Sequence, residues 1–264
     1  MAAPVVKILG ERNSGTNFLA RCLSENFDAK VYPGGISLSQ DQRAYLRRAE
    51  PERVRRGPLR EALWDANHVR DLPRTGGWKH AAATNAFLTR FARSQNALVI
   101  CIVRHPAAWL AAMHRNPFHA AAHVPARFSA FLRAPWVARP RDELAQPFLD
   151  NPAVLYRVKL ASYAWLAEVH EATILLRYED ILANPDAAFA PVARHLPRRS
   201  AQYTLPQEGT RAFVPGETEA TGFAERARRA GYGLLAPVDA AFLSDALRGS
   251  FADTLYPFEN APTG

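Results

Sequence analysis

Eight residues near the N-terminus bring small, hydroxyl, amide and cationic side chains together in an order suited to holding an oxyanion: Gly10-Glu11-Arg12-Asn13-Ser14-Gly15-Thr16-Asn17. A helix that starts after such a loop aims several backbone N–H groups at one point, and its dipole favours negative charge there. Ser14, Thr16 and Asn17 add short polar groups, and Arg12 adds a permanent charge shaped for oxyanions. A second segment, Trp78-Lys79-His80, pairs a cation with a histidine after a Gly-Gly turn. An imidazole titrates near neutral pH and can take a proton from an attacking hydroxyl or amine, while a neighbouring ammonium can steady developing negative charge.

These segments need elements to position them. Val5 to Leu9 (VVKIL) reads as a buried strand, and Thr16 to Asn26 as an amphipathic helix, so the first loop lies between strand and helix. Leu98 to Val103 (LVICIV) reads as a second strand, followed by a helix over Ala107 to Met113. Thr173 to Leu176, with Arg177 and Tyr178, reads as a third strand leading to a helix that runs to about His195. Continuous apolar strands alternating with helices predict a three-layer α/β/α fold around a mostly parallel sheet. The chain of 264 residues, 48% hydrophobic, reads as one domain over residues 1–264. Arg115 to Asp150 is rich in Pro, Arg, Phe and Trp and is too long for an ordinary connector, so it reads as a lid or acceptor-binding insertion at about 115–150. Helical patterning resumes over Tyr156 to Val169, and Gln202 to Thr221 reads as loop.

No apolar run approaches the ~20 residues that span a bilayer. The N-terminal MAAPVVK has no signal-peptide pattern, so the expected location is cytoplasmic. Cys22 and Cys101 lie in apolar segments without metal-ligand spacing and read as buried hydrophobes. The net charge of +8 suits a polyanionic ligand. Lysine occurs only at Lys7, Lys30, Lys79 and Lys159, so the one beside His80 carries information.

Two other classes share some of these features. A Walker A loop closes on Gly-Lys-Ser/Thr, whereas Gly15 is followed here by Thr16 and Asn17, which counts against a P-loop kinase or NTPase. Arg43 to Arg60, with Arg47, Arg48, Arg53, Arg55 and Arg56, is a basic stretch of the kind found in polyanion- or nucleic-acid-binding modules. No aromatic platform accompanies it, and no nucleic-acid partner is expected.

Ser14-Gly15-Thr16, after a strand and with Arg12 close before it, resembles the 5′-phosphosulfate loop of sulfotransferases that use PAPS (3′-phosphoadenosine 5′-phosphosulfate). Arg104, at the end of the second strand, resembles the family's 3′-phosphate arginine. Leu176-Arg177-Tyr178-Glu179-Asp180-Ile181 is similar to its Arg-Tyr-Glu-Asp-Leu stretch, where the tyrosine lies near adenine. Asn13 stands where many members have lysine, and Ala112 where a serine usually joins the arginine.

The resemblance implies PAPS as co-substrate, PAP as product and no metal. It implies a small-molecule or glycan acceptor, with nucleotide contacts from Arg12, Asn13, Ser14, Gly15, Thr16, Asn17, Arg104 and Tyr178. His80 is then the base, with Lys79 and Arg12 stabilising the transferring group. Glu179 and Asp180 read as structural, Asp180 as a helix N-cap. Arg226, Arg228 and Arg229, near Gly231-Tyr232, are the residues that could form the family's nucleotide-closing loop. The remaining histidines (His68, His105, His114, His119, His123, His170 and His195) read mostly as surface or helix residues.

Overall fold

The computed structural model describes residues 4–50, 57–117, 119–206 and 231–258. Strand β1 (Val5–Leu9) leads to helix α1 (Thr16–Asn26) and a two-residue edge strand β2 (Lys30–Val31). Two helices follow, α2 (Gln40–Ala49) and α3 (Pro58–Thr75). A short helix α4 (Asn85–Phe87) continues into a π-turn over Leu88–Ala92. Then come β3 (Leu98–Val103) and α5 (Pro106–Arg115). The 115–150 stretch holds α6 (Phe128–Arg133) and a small antiparallel pair, β4 (Trp136–Val137) with β5 (Phe148–Leu149). Helix α7 (Pro152–Val169) returns the chain to β6 (Thr173–Arg177), α8 (Tyr178–Ala183) and α9 (Pro185–Ala193). The described C-terminal part forms α10 (Pro237–Leu247) and α11 (Phe251–Leu255).

The main sheet has the order β2-β1-β3-β6, and every pairing in it is parallel. The fold is therefore the expected α/β type, with helices on both faces. β3 shows why its sequence is apolar at every position. Val99, Cys101 and Val103 enter a core built with α5 and α7, whereas Leu98, Ile100 and Ile102 enter the opposite core with α1, α8 and α9. Successive side chains of a strand point to opposite faces, so a strand covered on both faces must be apolar throughout. Both cysteines are buried and free.

Several boundaries differ from the sequence reading. The helix expected to reach His195 breaks at Asn184-Pro185, where the Asn184 side chain accepts from Ala187 N–H and caps α9. A proline disfavours helical backbone at the residue before it, and an asparagine can start the next helix. Asp180 lies inside the first turn of α8 rather than at its N-cap, which is Arg177. His68 lies within α3, a helix residue as read, and His105 is the N-cap of α5; both are buried. No described helix is long and apolar enough to cross a membrane. Phe118, Arg53, Arg55, Arg56, residues 207–221 of the expected loop, and Arg226, Arg228 and Arg229 lie outside the described residues.

From β1 the chain moves to β2 on one side of the sheet and later to β3 on the other. Ligands of open parallel sheets bind beyond the carboxyl ends of the strands at such a switch point. Gly15 sits there with φ +99°, and a Cβ on it would lie 2.6 Å from Cδ2 of Tyr178. Gly35 has open space around it. Replacing Gly15 with alanine should therefore lower unfolding free energy by about 1–3 kcal/mol, whereas Gly35→Ala should be close to neutral. Chemical denaturation of the two variants checks this.

Candidate functional site

The loop after β1 is fixed from below by buried charges. The Arg12 side chain is fully buried, and its guanidinium meets Glu11 Oε1 at 2.7 Å and Asp142 Oδ1 at 3.0 Å. It also stacks on the Trp78 ring, 4.5 Å from the centroid. Lys159, buried in α7, donates to the carbonyls of His80 (2.6 Å) and Asp142 (2.8 Å) and lies 3.3 Å from Asp142 Oδ1. Trp109 Nε1 donates to Arg12 O at 2.6 Å.

Two acids and two bases thus share one dry cluster, and the bases hold the Asp142 carboxyl well below the usual carboxylate range against the opposing effect of burial. This corrects the role expected for Arg12. Its charge faces Glu11 and Asp142 inside the protein, so it orders the loop from beneath instead of meeting an anion from above.

Above this cluster the loop is shaped by two close approaches. A Cβ on Gly10 would meet Ile102 Cγ2 and O at 2.7 Å and Ser14 Oγ at 2.8 Å. Asn13 adopts φ 60° and turns its side chain away, donating Nδ2–H to Asn116 O at 3.2 Å. The side chain at the position where the resembled family has lysine therefore packs on the end of α5. Ser14 is 2% exposed, and its Oγ has no hydrogen-bond partner among the described residues. Gly15 offers no side chain to cap α1, so the first-turn N–H groups need partners from outside the helix. Thr16 is buried in that first turn, and Asn17 is exposed.

The other segments converge because parallel strands end on one edge. Arg104 follows β3 and Tyr178 follows β6. The Arg104 guanidinium donates to Asn13 O at 3.2 Å and lies 5.1 Å from the Tyr178 ring centroid. Tyr178 also packs edge-on against Phe18, with centroids 5.4 Å apart. Tyr156 OH holds the Arg104 carbonyl at 2.5 Å. Glu179 accepts from His105 N–H (2.9 Å) and Tyr256 OH (3.0 Å), which is a structural role. Ala112 is buried in α5 and brings no hydroxyl to Arg104.

Trp78-Lys79-His80 is held from three sides. Buried Lys7 donates to Thr75 O and Gly77 O, each at 2.7 Å, and to Pro33 O at 3.3 Å. Burial, with Lys79 nearby, pushes its ammonium down to about 7. His68 Nδ1 accepts from Trp78 N–H at 3.0 Å, and Gly10 N–H donates to Lys79 O at 2.9 Å. The Lys79 ammonium reaches Asn17 Oδ1 at the start of α1, and burial lowers it to about 8. His80 Nδ1 lies 2.6 Å from Gly10 O. A carbonyl can only accept, so the hydrogen sits on Nδ1 and the lone pair on Nε2. Burial, then the charges of Lys79 and Arg12, hold the imidazole well below its usual range, so it is neutral at physiological pH.

Of the residues singled out in the sequence, Ser14, Gly15, Thr16, Asn17, Lys79, His80, Arg104 and Tyr178 belong to segments meeting at this edge. Asp142 and Lys159 were missed. Lys159 carried a signal: it is a lysine within the apolar stripe of Leu155, Leu160, Tyr163 and Leu166 on α7.

No family model matches the chain, and no curated protein matches it. Among solved structures it is similar to mouse sulfotransferase SULT7A1 complexed with PAP, at 13% identity and a TM-score of 0.40, over 88% of this chain and 66% of that one. The chain spans just under two thirds of that structure's length.

The buried cluster makes a direct test possible. Removing one charge from a buried ion pair leaves the other uncompensated and costs about 3–5 kcal/mol. Asp142→Asn should destabilise by that order, and Lys159→Met likewise. The double variant should lose clearly less than their sum, because Glu11 and Arg12 still balance. Because its folded-state pKa is depressed, the Asp142 carboxyl adds stability above the ordinary carboxylate range that is lost on acidification. Urea melts at pH 7 and at pH 3 should show the Asp142→Asn penalty shrinking at the lower pH.

Proposed function

We propose that this protein is a sulfotransferase that moves the sulfuryl group of PAPS to a hydroxyl or amine. The observation that carries the reading is the buried Ser14 Oγ, unpartnered among the described residues, at the uncapped start of α1 beside segments bearing two cations, Lys79 and Arg104. A buried hydroxyl without a partner costs about 1–3 kcal/mol, and an oxyanion accepting from it and from the first-turn N–H groups relieves that cost. The resemblance of Ser14-Gly15-Thr16, Arg104 and Tyr178 to the PAPS-dependent family supports the same assignment. A nucleoside triphosphate is disfavoured because no lysine follows Gly15.

In this reading the 5′-phosphosulfate rests on the loop from Ser14 to Asn17, Arg104 takes the 3′-phosphate, and Tyr178 forms a wall for the nucleotide. The donor supplies an activated sulfuryl group whose leaving oxygen belongs to PAP. His80, its tautomer set by Gly10 O, accepts the acceptor's proton at Nε2. Lys79 balances negative charge building on the transferring group. Arg12 acts as a positioning residue through Glu11 and Asp142.

Calorimetric titration with PAP in EDTA should show binding that ATP with Mg²⁺ does not match. His80→Ala should abolish turnover while PAP binding persists, and full activity in that variant would remove His80 from the mechanism. The pH profile gives an independent check. Neutral His80 leaves no acid limb near 6.5, and kcat/KM should fall as pH rises through about 8, where Lys79 loses its proton. Lys79→Arg, which keeps its charge, should move that alkaline limb upward.

A further inference from the structure

The peptide bond that follows Arg104 is held at both of its polar atoms by buried side chains from other elements. Strand pairing ends at Val103 and α5 begins at Pro106, so this peptide lies in neither the ladder nor the helix. Its carbonyl accepts from Tyr156 OH of α7 at 2.5 Å, and its N–H, that of His105, donates to Glu179 Oε1 of α8 at 2.9 Å. Both holding side chains are fixed in turn. Glu179 accepts a second hydrogen bond at Oε2 from Tyr256 OH, 3.0 Å away at the end of α11. The Tyr156 ring packs on Trp109, with centroids 5.0 Å apart. Burial holds the Tyr156 and Tyr256 phenols well above their usual range, so each keeps the hydrogen it donates.

A planar peptide held at both atoms fixes the direction in which the Arg104 side chain leaves the backbone. At the far end the guanidinium is held by Asn13 O (3.2 Å) and the Tyr178 ring (5.1 Å). Arginine is long and rich in rotamers, and holding it in advance removes an ordering cost that an anion would otherwise meet. The same aromatic pair reaches the loop after β1, because Trp109 Nε1 donates to Arg12 O at 2.6 Å. Trp109 and Tyr156 thus bridge the loop and the backbone of Arg104, and their packing sets the spacing between the two.

We propose that Tyr156 and Glu179 are positioning residues: they hold Arg104 at a fixed distance from the Ser14 loop and so make the site selective for a nucleotide phosphorylated at its 3′ as well as its 5′ position. This rests on the reading in which Arg104 takes the 3′-phosphate, and it names the residues that make that arginine effective. Glu179, which the nucleotide contacts left unused, then acts in recognition through His105 N–H.

The test is calorimetric titration with PAP and with adenosine 5′-monophosphate, which lacks only the 3′-phosphate. Wild-type protein should bind PAP more tightly, and Arg104→Ala should remove that preference. Tyr156→Phe and Glu179→Leu should each shrink the preference by about tenfold, the affinity equivalent of one hydrogen bond to a charged group, with binding of the monophosphate kept. Glu179→Gln should retain the preference, because its amide can accept from His105 N–H and donate to Tyr256 OH. Added to Arg104→Ala, Tyr156→Phe should have no further effect on the ratio. If Glu179→Leu fails to fold, Tyr156→Phe decides alone. A preference unchanged in Tyr156→Phe, or equal weakening of both nucleotides, overturns the positioning role while leaving the 3′-phosphate assigned to Arg104. No preference in wild-type protein overturns that assignment and the positioning role with it.

Discussion

The arrangement depends on one buried electrostatic balance. Arg12 lies between Glu11 and Asp142, and Lys159 closes the group from α7. Ions removed from water are tolerated only when opposite charge and hydrogen bonds replace the lost hydration. Here that requirement ties together three parts of the chain far apart in sequence: the loop after β1, the 115–150 stretch and the long helix before β6. The carbonyl of His80 is one of the acceptors for Lys159, so the histidine's backbone is held by the same group that supports the loop. The 115–150 stretch, read from sequence as a lid or acceptor-binding insertion, in this way contributes a buried carboxylate to the underside of the site.

The cations divide into two kinds by solvent and partner. Arg12 and Lys159 have carboxylates within reach and serve to hold the fold. Lys79 and Arg104 are partly exposed at the edge of the sheet, where Lys79 meets an amide oxygen and Arg104 a carbonyl and an aromatic face. These two cations therefore lie at the edge of the sheet rather than inside the buried cluster. Composition alone counts all four equally, which is why a net charge of +8 says little about where an anion would go.

The sheet was legible because its strands are covered on both faces. VVKIL and LVICIV are apolar at nearly every position, and the structure gives Val5–Leu9 and Leu98–Val103. β2 was not legible, since two residues on an edge need no apolar pattern. Gly15 was legible because only a residue without a side chain fits a left-handed turn against Tyr178. Arg12 was legible as a charge but not as a buried one, because its burial is decided by Asp142, 130 residues away. Arg104 and Tyr178 read as separate strand-end residues; parallel pairing of β1, β3 and β6 brings them to one edge, a consequence of topology rather than of spacing.

Lys79 contributes more than its ammonium. Its N–H is held by Gly34 and its carbonyl holds the N–H of Gly10, so a single residue's main chain bridges two glycine-containing turns. Gly10, in turn, is the residue whose carbonyl sets the tautomer of His80. A shift of the Gly34 turn would therefore reach the residue that holds His80 Nδ1 through the backbone of Lys79, whose φ and ψ lie between the two hydrogen bonds.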